Sequence, residues 1–106
     1  MELDIEDLVV GEGPEVVAGN SVSLDYVVLF DDGTELDNSG NTGPLEFVVG
    51  VGQMIPGVDV GVVGMQVGGQ RVITIPPEFA FGAQGVQGVI PPNTVLIFEV
   101  ELLGIQ

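Results

Sequence analysis

The chain contains no cysteine, histidine, lysine or tryptophan, and its only cationic side chain is that of Arg71. Without cysteine and histidine, disulfides, thiol nucleophiles, imidazole bases and the ordinary ligands of zinc are all excluded. Without lysine, Schiff-base chemistry is excluded as well. If this protein is an enzyme, its reaction must therefore proceed without any of these groups.

Positive charge is almost absent, because 16 acidic residues face one cation and the formal net charge is −15. Such a charge repels nucleic acids and anionic membrane surfaces, so neither is expected as a partner. No apolar run approaches the ~18 residues of a membrane span. The amino terminus Met1–Asp4 is acidic where a signal peptide would be basic. We therefore expect a soluble, cytoplasmic protein, and a monomer.

The amino-acid alphabet is also narrow, since only 16 residue types occur. A narrow alphabet with an acidic excess indicates either adaptation to high salt or a deliberately restricted design. Salt-adapted proteins usually exchange apolar residues for acids, whereas the mean hydropathy here is +0.52. This comparison favours the engineered origin over the halophilic one.

What the chain does contain is valine and glycine, with very few alanines, which is a β-rich composition with many turns. At 106 residues, 45% of them hydrophobic, the chain can bury one core. We therefore predict a single domain that spans residues 1–106.

Alternation of apolar and polar residues predicts the strands of the first half. Val22, Leu24, Tyr26, Val28 and Phe30 share one face of a strand over Ser21–Phe30. Asp-Gly within the turn at residues 31–34 favours a tight hairpin. The remaining predictions are an edge strand over Leu3–Val10, a strand over Glu35–Asn38 that runs back along its predecessor, a polar loop over Asn38–Pro44, and a strand over Leu45–Val49.

One helix is predicted, over Pro56–Met65, with proline in the first turn and Asp59 near the positive end of the helix dipole. Its valines and glycines are poor helix formers, so tertiary packing must hold it. A turn over Val67–Gln70 and strands over Arg71–Ile75 and Val95–Leu103 follow. Strands, one short helix and further strands form an α+β pattern.

Between the last two strands lies a loop, residues 76–93, that is unusually apolar for a surface segment. Its large apolar side chains are Phe79, Phe81, Val86, Val89 and Ile90. A loop of this kind either caps its own core or lines an apolar hollow.

Five motifs, correctly spaced from about Val9 to Leu103, resemble the FKBP-type peptidyl-prolyl isomerases. They are Asp32-Gly33-Thr34-Glu35-Leu36-Asp37, Gly52-Gln53-Met54-Ile55-Pro56-Gly57, Gly64-Met65-Gln66-Val67-Gly68-Gly69, Ile75-Pro76-Pro77-Glu78-Phe79-Ala80-Phe81-Gly82 and Gly88-Val89-Ile90-Pro91-Pro92-Asn93. The resemblance implies an α+β fold in which an antiparallel sheet of about five strands wraps around one short helix. It also implies cis-trans isomerisation of Xaa-Pro bonds in peptides and unfolded proteins, without a cofactor or metal, and binding of macrolide immunosuppressants.

The resemblance also assigns a proline-binding pocket. Its implied catalytic residues are Tyr26, Asp37, Ile55, Phe81 and Phe98. Its implied substrate-binding residues are Leu36, Leu45, Phe47, Met54, Val58, Val86, Val89 and Ile90.

Several of these positions depart from the family pattern. Leu36, Leu45 and Val58 stand where the family commonly has aromatic rings, Val58 replacing the Trp of the pocket floor. Phe81 lacks the hydroxyl of the usual Tyr, and Val86 stands where many members carry a polar or ring side chain. The resemblance therefore implies an apolar site with fewer rings and fewer polar contacts.

The implied reaction does not need the residue types that the chain lacks. Rotation about an Xaa-Pro bond crosses a barrier of ~18–20 kcal/mol and needs neither a nucleophile nor a proton carrier. A dry apolar hollow favours the twisted, less dipolar amide over the planar one. In the family's binding mode the backbone N–H of Ile55 donates to a substrate carbonyl.

Other interpretations remain open on the sequence alone. Phe47, Ile55 and Phe98 are equally explained as core residues, and a Tyr26–Asp37 pair can be structural as well as functional. The spacing of Asp37–Asn41 only faintly resembles a calcium loop and indicates a solvated loop. The three hypotheses are a prolyl isomerase, an FKBP-like module that binds proline peptides or macrolides with little turnover, and a designed acidic scaffold with little or no activity.

Overall fold

The computed structural model describes residues 3–106, except for the side chains of residues 41 and 42. Met1 and Glu2, the start of the predicted acidic terminus, lie outside the described residues. The strands are β1 (Asp4–Val9), β2 (Glu12–Glu15), β3 (Ser21–Phe30), β4 (Glu35–Asn38), β5 (Leu45–Val48), β6 (Gln66–Val67), β7 (Gln70–Ile75) and β8 (Leu96–Ile105). The helices are α1 (Ser39–Thr42) and α2 (Pro56–Gly61), and Pro77–Phe79 form a 3₁₀ turn.

The main sheet has the order β1-β7-β8-β3-β4, and β5 also pairs with β3. All of its pairings are antiparallel. The sheet has six strands because the long strand β3 pairs with two short strands along one edge. Its first half pairs with β5 and its second half with β4. The antiparallel sheet with one short helix is thus confirmed, and β1 lies at an edge as predicted.

The core lies between the sheet and α2. In β7 and β8 the side chains alternate between the core and the outer face, with Ile73, Ile75, Leu96 and Leu102 fully buried. The glycines of α2 explain how a helix of poor propensity is retained. A Cβ at Gly61 would lie 2.9 Å from Ile73 Cδ1, and one at Gly57 would clash with Ile75. Glycine therefore lets the helix lie directly against β7.

Arg71 ties three elements together from within β7. Its Nε donates to Asp7 Oδ1 of β1 at 2.6 Å, and its Nη1 donates to the carbonyls of Gly61 and Val63 at 2.7 and 3.0 Å. These carbonyls lie at the end of α2, where the last turn of a helix lacks intrahelical donors. Arg71 is 9% exposed, so the chain's only cation holds the end of the helix from the protein interior.

The structure corrects several boundaries. The predicted helix over Pro56–Met65 ends at Gly61, because Gly64 adopts a φ of +90°, although Val62 and Met65 remain buried. The polar loop predicted over Asn38–Pro44 contains α1. Strands β2 and β6 form a separate two-stranded sheet that their short, irregular sequences did not predict. Among the described helices, none is long and apolar enough to cross a membrane.

Candidate functional site

A cavity of about 270 Å³ opens between β3, β4, β8 and the apolar loop. It is apolar apart from one carboxylate, that of Asp37. Its walls contain six of the predicted site residues together with two core residues. The lining residues are Val28, Leu36, Asp37, Phe81, Val89, Ile90, Leu96 and Phe98.

The β3–β4 hairpin places Leu36 and Asp37 on this wall. The Phe30 N–H closes its turn by donating to the Thr34 carbonyl at 2.8 Å. Gly33 adopts a φ of +91°, the positive value that such a tight turn requires. The carboxylate of Asp32 accepts the Thr34 N–H at 2.8 Å. This hydrogen bond to the charged form lowers the pKa of Asp32. The turn thus brings Asp37 opposite Val28 in the sheet register.

The apolar loop forms the opposite wall. Val86 and Ile90 exchange backbone hydrogen bonds at 2.8 Å, and Asn93 N–H donates to the Gly82 carbonyl at 2.9 Å. These bonds fold the loop back on itself, so that Ile90 is buried while Phe81 stays 38% exposed. Phe79 packs partly buried against the core. Both interpretations of the loop therefore hold, since it covers part of the core and also lines the cavity.

Tyr26 lies behind Asp37 and is not among the residues that line the cavity. Its hydroxyl is 3.4 Å from Asp37 Oδ2, while Asp37 Oδ1 accepts the Asn38 N–H at 2.8 Å. The Ser39 side chain accepts the Tyr26 N–H at 3.2 Å. The carboxylate is thus oriented through both of its oxygens, and the Tyr26–Asp37 pair considered in the sequence is present.

The remaining predicted residues are not among those that line the cavity. Val58 is fully buried and Phe47 is 5% exposed, so both pack in the core. Leu45, Met54, Ile55 and Val86 are partly buried and pack against that core. Ile55 precedes the first residue of α2 as its N-cap.

The segment before α2 is held by two polar side chains that sequence reasoning did not assign to the site. Asp59 of α2 accepts the N–H of Gly50 at 2.6 Å and the N–H of Gly52 at 3.3 Å. Gln53 accepts the Val48 N–H at 2.9 Å through its side-chain oxygen. The signal for Asp59 was present, as an acid in the first turn of a helix preceded by a glycine-rich loop, but it was interpreted only through the helix dipole.

Comparison with known proteins decides the family. The profile of the FKBP-type peptidyl-prolyl cis-trans isomerases matches residues 13–103. The chain belongs to this family. The FKBP motifs and activity implied by the sequence are therefore confirmed, and the protein is an isomerase of Xaa-Pro bonds.

Individual FKBP relatives agree with this assignment. The FK506-binding protein of Neisseria meningitidis serogroup A is 49% identical over 102 residues, which cover 95% of this chain and 94% of that protein. The FK506-binding protein 4 of Aspergillus fumigatus is 44% identical over 102 residues, which are 96% of this chain and 21% of the larger protein.

Solved FKBP structures share the fold. The crystal structure of AtFKBP13 superposes with a TM-score of 0.91 at 39% identity, covering 98% of this chain and 93% of that one. FkpA from Escherichia coli superposes with a TM-score of 0.88 at 36% identity, covering 98% of this chain and 48% of that one. The fold described above is therefore the FKBP fold.

Proposed function

We propose that this FKBP isomerises Xaa-Pro bonds in the cavity between Leu36, Phe81 and Phe98. The observation that carries the proposal is an apolar hollow of about 270 Å³ with one oriented carboxylate at its wall. Its volume is close to the lower limit of ordinary ligand pockets, roughly 300 Å³. It therefore has room for a proline ring and its adjoining peptide bond, or for a part of similar size of a larger ligand.

The cavity walls would act on the amide through their low polarity. A planar Xaa-Pro amide is stabilised by resonance and is strongly dipolar, and it loses part of that dipole as it twists. Moving it out of water into a site lined by Leu36, Ile90 and Phe98 costs the planar form more than the twisted form. The barrier falls without any proton transfer.

Polar contacts would orient the substrate at two sides of the cavity. The backbone N–H of Ile55, just before α2, would donate to a substrate carbonyl, and the Asp37 carboxylate would face the twisting amide. A backbone donor keeps this role whatever side chain it carries, so the changes at Leu36, Leu45 and Val58 leave it in place. Phe81 supplies apolar surface but no hydroxyl.

Macrolide binding is part of the same proposal. The Neisseria and Aspergillus relatives are named for binding FK506. A macrolide of the FK506 type would enter the same cavity and compete with a proline peptide. We also propose that the protein works as a monomer, since two copies that each carry −15 repel one another. Light scattering at physiological salt tests that point.

Amide chemical-shift mapping with a short Xaa-Pro peptide tests the proposed site. We expect shifts at Tyr26, Ile55 and Phe98, and their reversal when an FK506-type macrolide is added. Shifts confined to Asp25 and Glu99, on the opposite face of the sheet, would place the peptide elsewhere and refute the proposal.

A further inference from the structure

Another cavity, of about 300 Å³, lies on the face of the main sheet that points away from the proline cavity. Side chains of a strand alternate between the two faces of a sheet. In β8, Phe98 lines the proline cavity, whereas Glu99 and Glu101 line the other one. In β3, Val28 lines the proline cavity, whereas Asp25 lines the other one. We name this cavity the outer groove, and it is also lined by Leu8 of β1, Gln70 of β7 and Ser39 of α1.

The outer groove runs across four neighbouring strands, since β1, β7, β8 and β3 are consecutive in the sheet order. In the register, Glu101 of β8 lies opposite Gln70 on one side and opposite Asp25 on the other. Strands lie about 4.7–4.9 Å apart, so the groove extends roughly 14 Å from β1 to β3. An extended polypeptide segment of about five residues spans this distance.

The charges of the outer groove are not balanced within the chain. Asp25 and Glu101 lie directly opposite each other on neighbouring strands, and like charges in such a pair destabilise a sheet. Arg71 also borders the groove, but its guanidinium bonds to Asp7 and to the carbonyls at the end of α2. Since the chain has no second cation, a positive charge that balances this pair must come from another molecule.

We propose that the outer groove docks an extended, basic segment of a partner polypeptide. Side chains of an extended segment that point to the same side recur at every second residue. The segment therefore carries one apolar and two cationic side chains at alternate positions. The apolar side chain contacts Leu8, which is 58% exposed at the β1 end of the groove, and the cations contact Glu101 and Asp25. Charge complementarity selects this partner, and a second copy of the chain cannot supply two cations.

Three labelled peptides without proline test the pattern that the groove requires. The first carries valine, lysine and lysine at alternate positions, with threonine between them. The second has the same composition but places the two lysines side by side, and the third replaces both lysines by glutamate. Binding is followed by fluorescence anisotropy at physiological salt, where charges more than ~8 Å apart are largely screened. We expect the alternating lysine peptide to bind several-fold more tightly than the rearranged one and the glutamate peptide not to bind. Equal affinities for the two lysine peptides would overturn the proposal.

Neutralisation of the opposed pair separates contact in the groove from general attraction to an acidic protein. The double variant Asp25→Asn, Glu101→Gln should bind the alternating lysine peptide about fivefold more weakly, as the loss of two exposed ion pairs predicts. The matched control is Glu12→Gln, Glu15→Gln, which removes the same charge from exposed positions of β2 outside the groove. The groove variant should unfold at no lower temperature than the parent, because it loses a repulsion. An equal loss of affinity in both double variants would contradict docking in the groove.

Amide chemical shifts locate the bound peptide. We expect the alternating lysine peptide to shift the amides of Val27, Gln70 and Glu99, which all border the outer groove. Shifts confined to Leu36 and Phe98 would place it in the proline cavity and overturn the proposal. The inference is independent of the proposed isomerisation, since the probe contains no proline and the two cavities lie on opposite faces of the sheet.

Discussion

The carboxylate of Asp59 accepts the backbone N–H of Gly50 at 2.6 Å, across the loop that leads into α2. Its second oxygen lies 3.3 Å from the Gly52 nitrogen. The helix therefore fixes the loop that precedes it, and this loop leads into Met54 and Ile55, which pack partly buried against the core. The proposed substrate donor is the Ile55 N–H, at the N-cap of α2. Because Asp59 holds Gly50 and Gly52 of the loop just before it, Asp59 is expected to position that donor without touching the substrate.

Replacement of Asp59 tests this role. In Asp59→Ala both loop N–H groups lose a charged acceptor, a loss of about 1–3 kcal/mol in the free energy of unfolding. Because the Ile55 N–H is then less well placed, kcat/KM for a short Xaa-Pro peptide should fall several-fold at temperatures where the variant remains folded. The control is Asp25→Ala on the outer face of β3, and an equal loss of kcat/KM in both variants would contradict a positioning role.

Arg71 bonds both to backbone carbonyls at the end of α2 and to the Asp7 carboxylate, and we expect the carbonyl bonds to contribute more to the free energy of unfolding. Arg71→Met leaves the buried carbonyl of Gly61 and the part-buried carbonyl of Val63 without their donor and should lower the free energy of unfolding by roughly 2–4 kcal/mol. Asp7→Asn removes only the charge of a partner whose side chain is 43% exposed, so its cost should be about 1 kcal/mol or less.

Urea unfolding of both Arg71 and Asp7 variants measures the difference. Equal losses of stability in the two variants would mean that Arg71 stabilises the fold mainly through its ion pair with Asp7, and not through its bonds to the carbonyls at the end of α2.

The missing hydroxyl at Phe81 can be restored. Phe81 lines the cavity and is 38% exposed, so a tyrosine ring fits with its hydroxyl near the substrate. One added hydrogen bond contributes a net ~0.5–1.5 kcal/mol, and Phe81→Tyr should therefore bind a proline peptide up to roughly tenfold more tightly. Phe79→Tyr, in the same loop but outside the cavity lining, is the control. Calorimetric titration that finds the same affinity in both variants and in the parent protein would show that no such bond forms.

The charge of −15 predicts that salt stabilises the fold. Repulsion among carboxylates on a compact chain is relieved as the Debye length falls from ~10 Å at 0.1 M to ~3 Å at 1 M. The midpoint of thermal unfolding should rise steadily over that range of sodium chloride. A midpoint independent of salt would mean that the carboxylates lie too far apart to oppose folding.

The sequence predicted those parts of the fold in which a local pattern determines the structure. The alternation of Val22, Leu24 and Val28 predicted β3, and the Asp-Gly turn predicted its hairpin with β4. The predicted end of α2 was wrong because the positive φ of Gly64 and the bonds from Arg71 to the carbonyls of Gly61 and Val63 depend on the packed structure and not on a local pattern. The β2–β6 pair was missed because two short segments without alternation become strands only when the fold brings them together.

The sequence likewise predicted some features of the candidate site and not others. The motifs grouped Leu36, Asp37, Phe81, Ile90 and Phe98 in one pocket, and the structure places all five around one cavity. They did not indicate that Val58 lies wholly in the core, that Tyr26 is absent from the cavity lining, or that Asp59 holds the preceding loop. Each of these facts depends on the direction of a side chain in three dimensions, which residue spacing along the chain does not specify.

The central claim is that isomerisation takes place in the cavity between Leu36, Phe81 and Phe98. The most direct measurement is kcat/KM for a short Xaa-Pro peptide with Leu36→Glu, compared with Leu103→Glu at an exposed position of β8 that lines no part of the cavity. A second carboxylate beside Asp37 makes the hollow polar and repels it, so Leu36→Glu should lose activity by about tenfold or more while Leu103→Glu retains it. Full activity in a folded Leu36→Glu variant would contradict the account.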